Sequence, residues 1–268
     1  MAEEKTNGSK GYAPVNGLKM YYEIHGSGKP LILLHGGASA VEMLGDLISS
    51  LSKDRQVIGA DLQAHGRTAD IDRPLRYEFM ADDVADLAKY LGLSKVDIMG
   101  YSLGGGVALR TAIQHPEIVK KLVLVSAPFK RSGWYPEVLD AMSKSVDNIE
   151  PMKKTPLYEV YSRIAPRPQD WSVLFTKLGE MLRQDYNWSQ EASQLKSPVM
   201  MVVGDADSVR TAHGVEFFEL LGGGKRDAGW DGSGMPKSRL CVLPGVTHYN
   251  ILNSPALVPL VKSFLDAT

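Results

Sequence analysis

The sequence predicts an α/β fold: an eight-stranded, mostly parallel sheet with helices on both faces and one helical insertion. Three observations predict it. Short apolar runs rich in β-branched residues, bounded by glycine or proline, alternate with segments of helical period. One long segment, residues 127–196, breaks that alternation. The pentapeptide Gly100-Tyr101-Ser102-Leu103-Gly104 stands where an apolar run (Val96, Ile98, Met99) gives way to a helical one (Val107, Ala108, Ile113).

In chain order, residues 1–10 carry no apolar core and read as a flexible tail. Tyr12–Val15 and Leu18–His25 read as strands joined by Asn16-Gly17, a dipeptide that favours the tight type I′ turn. Leu31–Leu34, Gln56–Asp61, Val96–Gly100, Leu122–Ser126, Val199–Val203 and Arg239–Leu243 complete the strands. Helical period marks Val41–Leu51, Tyr77–Leu91, Leu103–Gln114, Gly214–Leu221 and Ala256–Leu265, with stops at Gly92, His115-Pro116 and Gly222. Residues 127–196 have no strand-like run but several prolines and short amphipathic stretches. They read as a helical cap over the C-terminal edge of the sheet, with 11–126 and 197–268 forming the core. The cap is enriched in aromatics, among them Trp134, Trp171 and Trp188; at least half of these rings should seat it on the core, and others should line an apolar pocket. A glycine-rich stretch from Gly222 to Gly234 reads as a loop before the last strand, and neither phosphate-cradle motif is present in it.

Composition narrows the function. With 268 residues and 44% hydrophobic content the chain can bury one large core. Lys plus Arg number 30 against 31 Asp plus Glu, with no basic cluster denser than Lys120-Lys121 or Lys153-Lys154, so nucleic acid and membrane are not expected partners. The lone Cys241 excludes an internal disulfide and a multi-thiolate metal site, and it reads as core filler. No metal or cofactor is expected, and no run approaches the roughly 18 apolar residues of a membrane span. A cytoplasmic location follows by default.

In the context of strand, tight turn and helix, G-x-S-x-G marks a nucleophilic serine. The flanking glycines let strand and helix approach around a residue held at positive φ, with its hydroxyl presented outward. Ser102 then needs a base, and the base needs an acid to orient it. The run Val199–Val203 ends in Gly204-Asp205-Ala206-Asp207, and the last run ends in Leu243-Pro244-Gly245-Val246-Thr247-His248. Of six histidines, only His248 lies after a strand, downstream of an acid and in a loop able to reach the C-terminal edge of the sheet. Asp207 is preferred over Asp205 because the turn must clear the strand end before a carboxylate faces His248; Asp205 would stabilise the turn, and Asp231 is an outside candidate. Acyl transfer also needs donors aimed at the oxyanion. One is the Leu103 amide at the helix start; the other is the amide of Gly37, or that of Ala38, in Leu34-His35-Gly36-Gly37-Ala38. Tyr101, Trp134 and Tyr135 are the candidates for substrate contact.

From about Gly11 to Leu265 these elements together resemble the α/β-hydrolase superfamily, and most of all its capped esterases and lactonases, such as carboxylesterases and 3-oxoadipate enol-lactonase. The resemblance implies an oxyanion hole at His35-Gly36-Gly37, a nucleophile elbow at Gly100–Gly104, an acid motif at Gly204 and Asp207 and a histidine motif at Gly245 and His248. Asp61 through Thr68 is similar to the family's structural D-x-x-G-x-G-x-S turn, with Ala64 and Thr68 as departures. A serine at the nucleophile position argues against haloalkane dehalogenases and epoxide hydrolases, which need aspartate there. The expected function is hydrolysis of a small-molecule carboxylic ester or lactone through an acyl-enzyme on Ser102. Carbon–carbon bond hydrolases and cofactor-free peroxidases share the serine triad and stay open as alternatives, as does a receptor-like protein without turnover.

Overall fold

A computed structural model describes residues 8–267, except the side chains of 145–147. Side chains alternate between the two faces of a strand, so neighbouring apolar residues are assigned to opposite cores. Ile32 and Leu34 enter one core with Ile98, Leu122 and Leu124, while Leu31 and Leu33 enter the other with Met99, Val123 and Val125. Runs that are apolar throughout are therefore buried on both faces, as parallel strands require.

The strands are β1 (Lys10–Val15), β2 (Leu18–His25), β3 (Lys29–Leu34), β4 (Arg55–Ala60), β5 (Val96–Tyr101), β6 (Val119–Val125), β7 (Val199–Ala206) and β8 (Arg239–Thr247), in the order β1-β2-β4-β3-β5-β6-β7-β8. The strands from β3 to β8 run parallel and the β1–β2 hairpin is antiparallel. Asn16 and Gly17 both have positive φ (45° and 83°), as a type I′ turn demands. Of the tail expected over residues 1–10, residues 1–7 lie outside the described residues; the Gly8 amide already bonds the Ile24 carbonyl and Lys10 opens β1.

Helices α2 (Tyr77–Tyr90) and α3 (Leu103–Gln114) cover one face; α1 (Gly45–Leu51), entered through a 3₁₀ turn at Val41–Leu44, covers the other. Between β6 and β7 lie α4 (Pro136–Asp147), α5 (Pro156–Ile164), α6 (Trp171–Arg183) and the short α7 (Ser189–Ala192). After β7 come α8 (Thr211–Leu220) and, following β8, α9 (Leu257–Asp266). Most of the aromatics between β6 and β7 are used for packing. Trp171 meets Tyr158, Tyr161 and Phe175 at 5.2, 5.0 and 4.6 Å, and Tyr77 of α2 meets Tyr186 and Trp188 at 5.4 and 5.1 Å. Lys177 of α6 fastens the segment to the core, donating to the Asp70 carboxylate and to the Ile71 and Arg73 carbonyls at 2.6–2.8 Å. Cys241 is half-buried, and among the described residues no helix is long and apolar enough to cross a membrane.

Three strands run past the ends that the apolar pattern predicts, β5 by one residue, to Tyr101, and β7 and β8 by more. β7 continues through Ala206 and β8 through Thr247, with a shift of register between Gly204 and Ala206. β6, conversely, stops at Val125 rather than Ser126, because Ser126 turns to φ 53°.

Candidate active site

Ser102 is the first residue after β5, at φ 53° and ψ −117°, and its amide bonds the Val125 carbonyl at 2.9 Å. The flanking glycines are sterically required: a Cβ on Gly100 would collide with the Gly104 carbonyl, and one on Gly104 with the His35 carbonyl. Local sequence thus places a serine in a conformation that costs about 1–3 kcal/mol and is held by its surroundings.

Asp207 and His248 are each the first residue after their strands, which brings them to the same edge as Ser102. His248 Nδ1 lies 2.9 Å from Asp207 Oδ1, and His248 Nε2 lies 3.1 Å from Ser102 Oγ. An ionised carboxylate only accepts, so Nδ1 carries the proton and Nε2 is left to accept from the serine hydroxyl. Asp207 is 6% exposed and fully engaged: besides His248 it accepts from Ser126 Oγ at 2.5 Å and from the Gly204 and Val209 amides at 3.1 Å. Burial acts to raise its pKa, but the hydrogen bond and electrostatic attraction to His248, the Ser126 hydroxyl and the Gly204 amide outweigh it and hold the carboxyl below its ordinary 3.8. Asp205 stays exposed and accepts from the Val246 amide at 3.2 Å, tying the β7 turn to β8 as expected of a turn residue. Asp231, also exposed, caps its own loop by accepting from the Ser233 amide.

At the edge of β3, Ala38 takes the left-handed conformation (φ 55°), and a Cβ on Gly37 would sit 3.9 Å from Leu103 Cβ, so the Gly37 backbone faces the start of α3. Neither the Gly37 nor the Leu103 amide bonds another backbone group among the described residues. This loop is held by His35, whose buried ring meets the Gly36 carbonyl at 2.7 Å through Nδ1 and accepts the Leu62 amide at 3.1 Å through Nε2. Burial depresses its pKa to about 4, against a smaller opposing effect of the Gly36 bond, and the neutral ring suits one donor and one acceptor role. His65 packs 5.1 Å from it and is depressed to about 3 by burial and by His35. Asp61, raised to about 6 mainly by burial, accepts the Val41 and Arg67 amides at 2.7 and 2.8 Å. Thr68 takes the serine's place in this turn, with its hydroxyl on the Asp61 carbonyl at 2.7 Å.

The candidates for substrate contact occupy different positions. Tyr101 donates its hydroxyl to the His248 carbonyl at 2.8 Å, with its ring 5.2 Å from the imidazole. Trp134 stands edge-on to His248 at 5.5 Å and is 6% exposed, whereas Tyr135 is at the surface and bonds the Ser208 carbonyl through its amide. Ser126 is the residue that sequence reasoning missed. Its signal was a small polar residue directly after an apolar strand, the same local position as Ser102 and Asp207; its meaning emerges only because β6 and β7 are neighbours.

A family model described as the alpha/beta hydrolase fold matches residues 29–225. A soluble epoxide hydrolase of Corynebacterium sp. strain C12 is 34% identical over 42% of this chain and 40% of its own length. A pimeloyl-[acyl-carrier protein] methyl ester esterase of Nitrosomonas europaea is 24% identical over 88% of this chain and 95% of its own. The chain spans 34% of the length of the mycobacterial relatives it matches. Among solved structures, the enol-lactonase of Burkholderia xenovorans LB400 aligns with a TM-score of 0.70 at 21% identity, over 96% of this chain and 100% of that one.

Proposed function

The chain belongs to the α/β hydrolase fold family, and on that premise we propose that it is a serine hydrolase cleaving a carboxylic ester or lactone through an acyl-enzyme on Ser102. The observation that carries this reading is the single line of contacts from Asp207 Oδ1 through His248 to Ser102 Oγ, at 2.9 and 3.1 Å. As Ser102 Oγ attacks the ester carbonyl, His248 Nε2 takes its proton and Asp207 stabilises the imidazolium that forms. The carbonyl oxygen becomes an oxyanion between the Gly37 and Leu103 amides, the latter at the positive end of α3. Collapse expels the alcohol, which receives the proton from His248. Water, deprotonated by the same nitrogen, then releases the acid. The buried Trp134 beside the imidazole supports an apolar surround for the substrate, and Tyr101 supports the base from behind.

The serine at the nucleophile position separates this chemistry from an aspartate-dependent epoxide opening. The esterase relative covering 88% of the chain favours ester cleavage. A fluorophosphonate probe tests the reading directly: wild-type protein should label and Ser102→Ala should not, and a wild type that never labels removes the hydrolase assignment. A panel of 4-nitrophenyl esters, lactones and dienol ketones then ranks the substrates. Turnover confined to the ketones would shift the assignment to carbon–carbon bond cleavage.

A further inference from the structure

The glycine-rich loop takes no part in this chemistry, yet it walls a cavity of about 360 Å³ at the opposite edge of the sheet. Lys196 and Ser197 line it where the chain enters β7, Lys237 and Ser238 where it enters β8, and Lys225 and Arg226 from the loop after α8. Four cations therefore surround this cavity and, among the described residues, no carboxylate lines it, in a chain whose basic and acidic residues number 30 and 31. All four are exposed, and none makes an ion pair among the described residues. Acids elsewhere do pair: Arg55 with Asp97, Arg73 with Asp83 and Lys177 with Asp70. Like charges gathered around one concavity repel each other, and an anion bound among them relieves that repulsion.

Neutral donors complete the lining. The Ser238 side chain is buried, at 5% exposure; its Oγ accepts the Val199 amide at 3.3 Å, and its own proton goes to no acceptor among the described residues. Among the described residues the amides of Gly224, Lys225 and Arg226 donate to no backbone carbonyl, in a stretch with left-handed residues at Gly222 (φ 87°) and Gly224 (φ 63°). Backbone of this kind can turn successive N–H groups toward an anion. Phosphate-cradle motifs are absent from the loop, so it is the side-chain cations brought in from three separate segments that distinguish the site.

We propose that this cavity binds the phosphate group of a small phosphorylated molecule, or free phosphate. A phosphate offers a charge of about −1.5 to −2 and three strong acceptor oxygens, which suits several point-charge lysines better than a singly charged carboxylate does. The volume lies at the lower end of ligand pockets, roughly 300–1,000 Å³, and fits a small ester rather than a polymer. No bond is made or broken there, and no residue is shared with the Ser102 site.

Titration calorimetry at low ionic strength with inorganic phosphate, pyrophosphate and glycerol phosphate tests the site. Saturable one-to-one binding is expected, weakened at least about tenfold by either Lys225→Glu or Lys237→Glu and a few-fold by Ser238→Ala. Circular dichroism and the thermal midpoint verify that each variant folds. Tighter binding of glycerol phosphate than of phosphate would identify the ester as the ligand; the reverse would identify free phosphate. The proposal is overturned if no probe binds by about 10 mM, if both charge reversals bind as wild type does, or if only duplex RNA or anionic vesicles bind. None of these outcomes touches the ester reading, which stands or falls on labelling of Ser102.

Discussion

The two edges of the sheet use polar residues in opposite ways. At the C-terminal edge, Ser126, Asp207 and His248 are buried, and each meets a partner within 3.1 Å. At the N-terminal edge, Lys196, Lys225, Arg226 and Lys237 are exposed around their cavity and make no ion pair among the described residues. A buried charge must be fully hydrogen-bonded to persist, so the first edge is preorganised, and its groups fix one another's geometry. An exposed cation pays little for lacking a partner, and it is free to meet one from solution. The proposed chemistry at the first edge should therefore be sensitive to single atoms, whereas the proposed anion binding at the second should depend on summed charge.

Substitutions at the first edge should have effects in a definite order of size. Ser102→Ala or His248→Ala should lower kcat for 4-nitrophenyl esters by on the order of 10⁵–10⁶, and the double variant should be little worse, because such residues act as a unit. Near-additive losses would show that His248 is not the base for Ser102. Asp207→Asn, which removes the orienting acceptor while keeping the shape, should cost about 10⁴.

The buried histidines next to the same edge sharpen the contrast through stability. His35 and His65 are neutral when folded, with pKa values near 4 and 3, but accept protons near 6.5 when unfolded. A depressed pKa adds stability that is complete above 6.5 and lost as pH falls toward 4. The pair should therefore cost roughly 4 kcal/mol between pH 7.5 and 5, which is on the order of 10³ in the folding equilibrium. Urea midpoints at the two pH values measure it, and His65→Gln should flatten the slope; an unchanged slope would show that His65 is not the source.

Ser126→Ala should reduce kcat about tenfold with little change in KM, since it removes one bond to a charged carboxylate that orients the base and touches no substrate. A compensating shift in the low-field Nδ1 proton resonance of His248 would show that the loss acts through Asp207. The smallest effect should come from Asp205→Asn, less than about threefold in kcat, because this exposed carboxylate only ties the β7 turn to β8. A loss as large as that from Asp207→Asn would reverse the choice of acid.

Much of the site was legible locally. Gly100 and Gly104 flank a serine because any side chain at either position would strike backbone, and such steric demands act over a few residues. Asp207 and His248 could be chosen because each follows an apolar run whose length betrays a strand end, even though both strands run a few residues beyond that pattern. Their extension depends on pairing between β7 and β8, a partner's contribution that no single segment carries. The turn from Asp61 to Thr68 was likewise readable as structural, although the mutual burial of His35 and His65 was not.

The alternation of strands and helices, the strained serine turn and the chain order of Ser102, Asp207 and His248 are legible locally, because burial period and backbone sterics are properties of neighbours in the chain. That Ser126 supports Asp207 across 81 residues, that Trp134 stands beside His248, and that four cations from three segments share one cavity emerges from the packed fold. Those contacts depend on which strands lie side by side and where their loops meet, and that arrangement is set by the packing of the whole sheet.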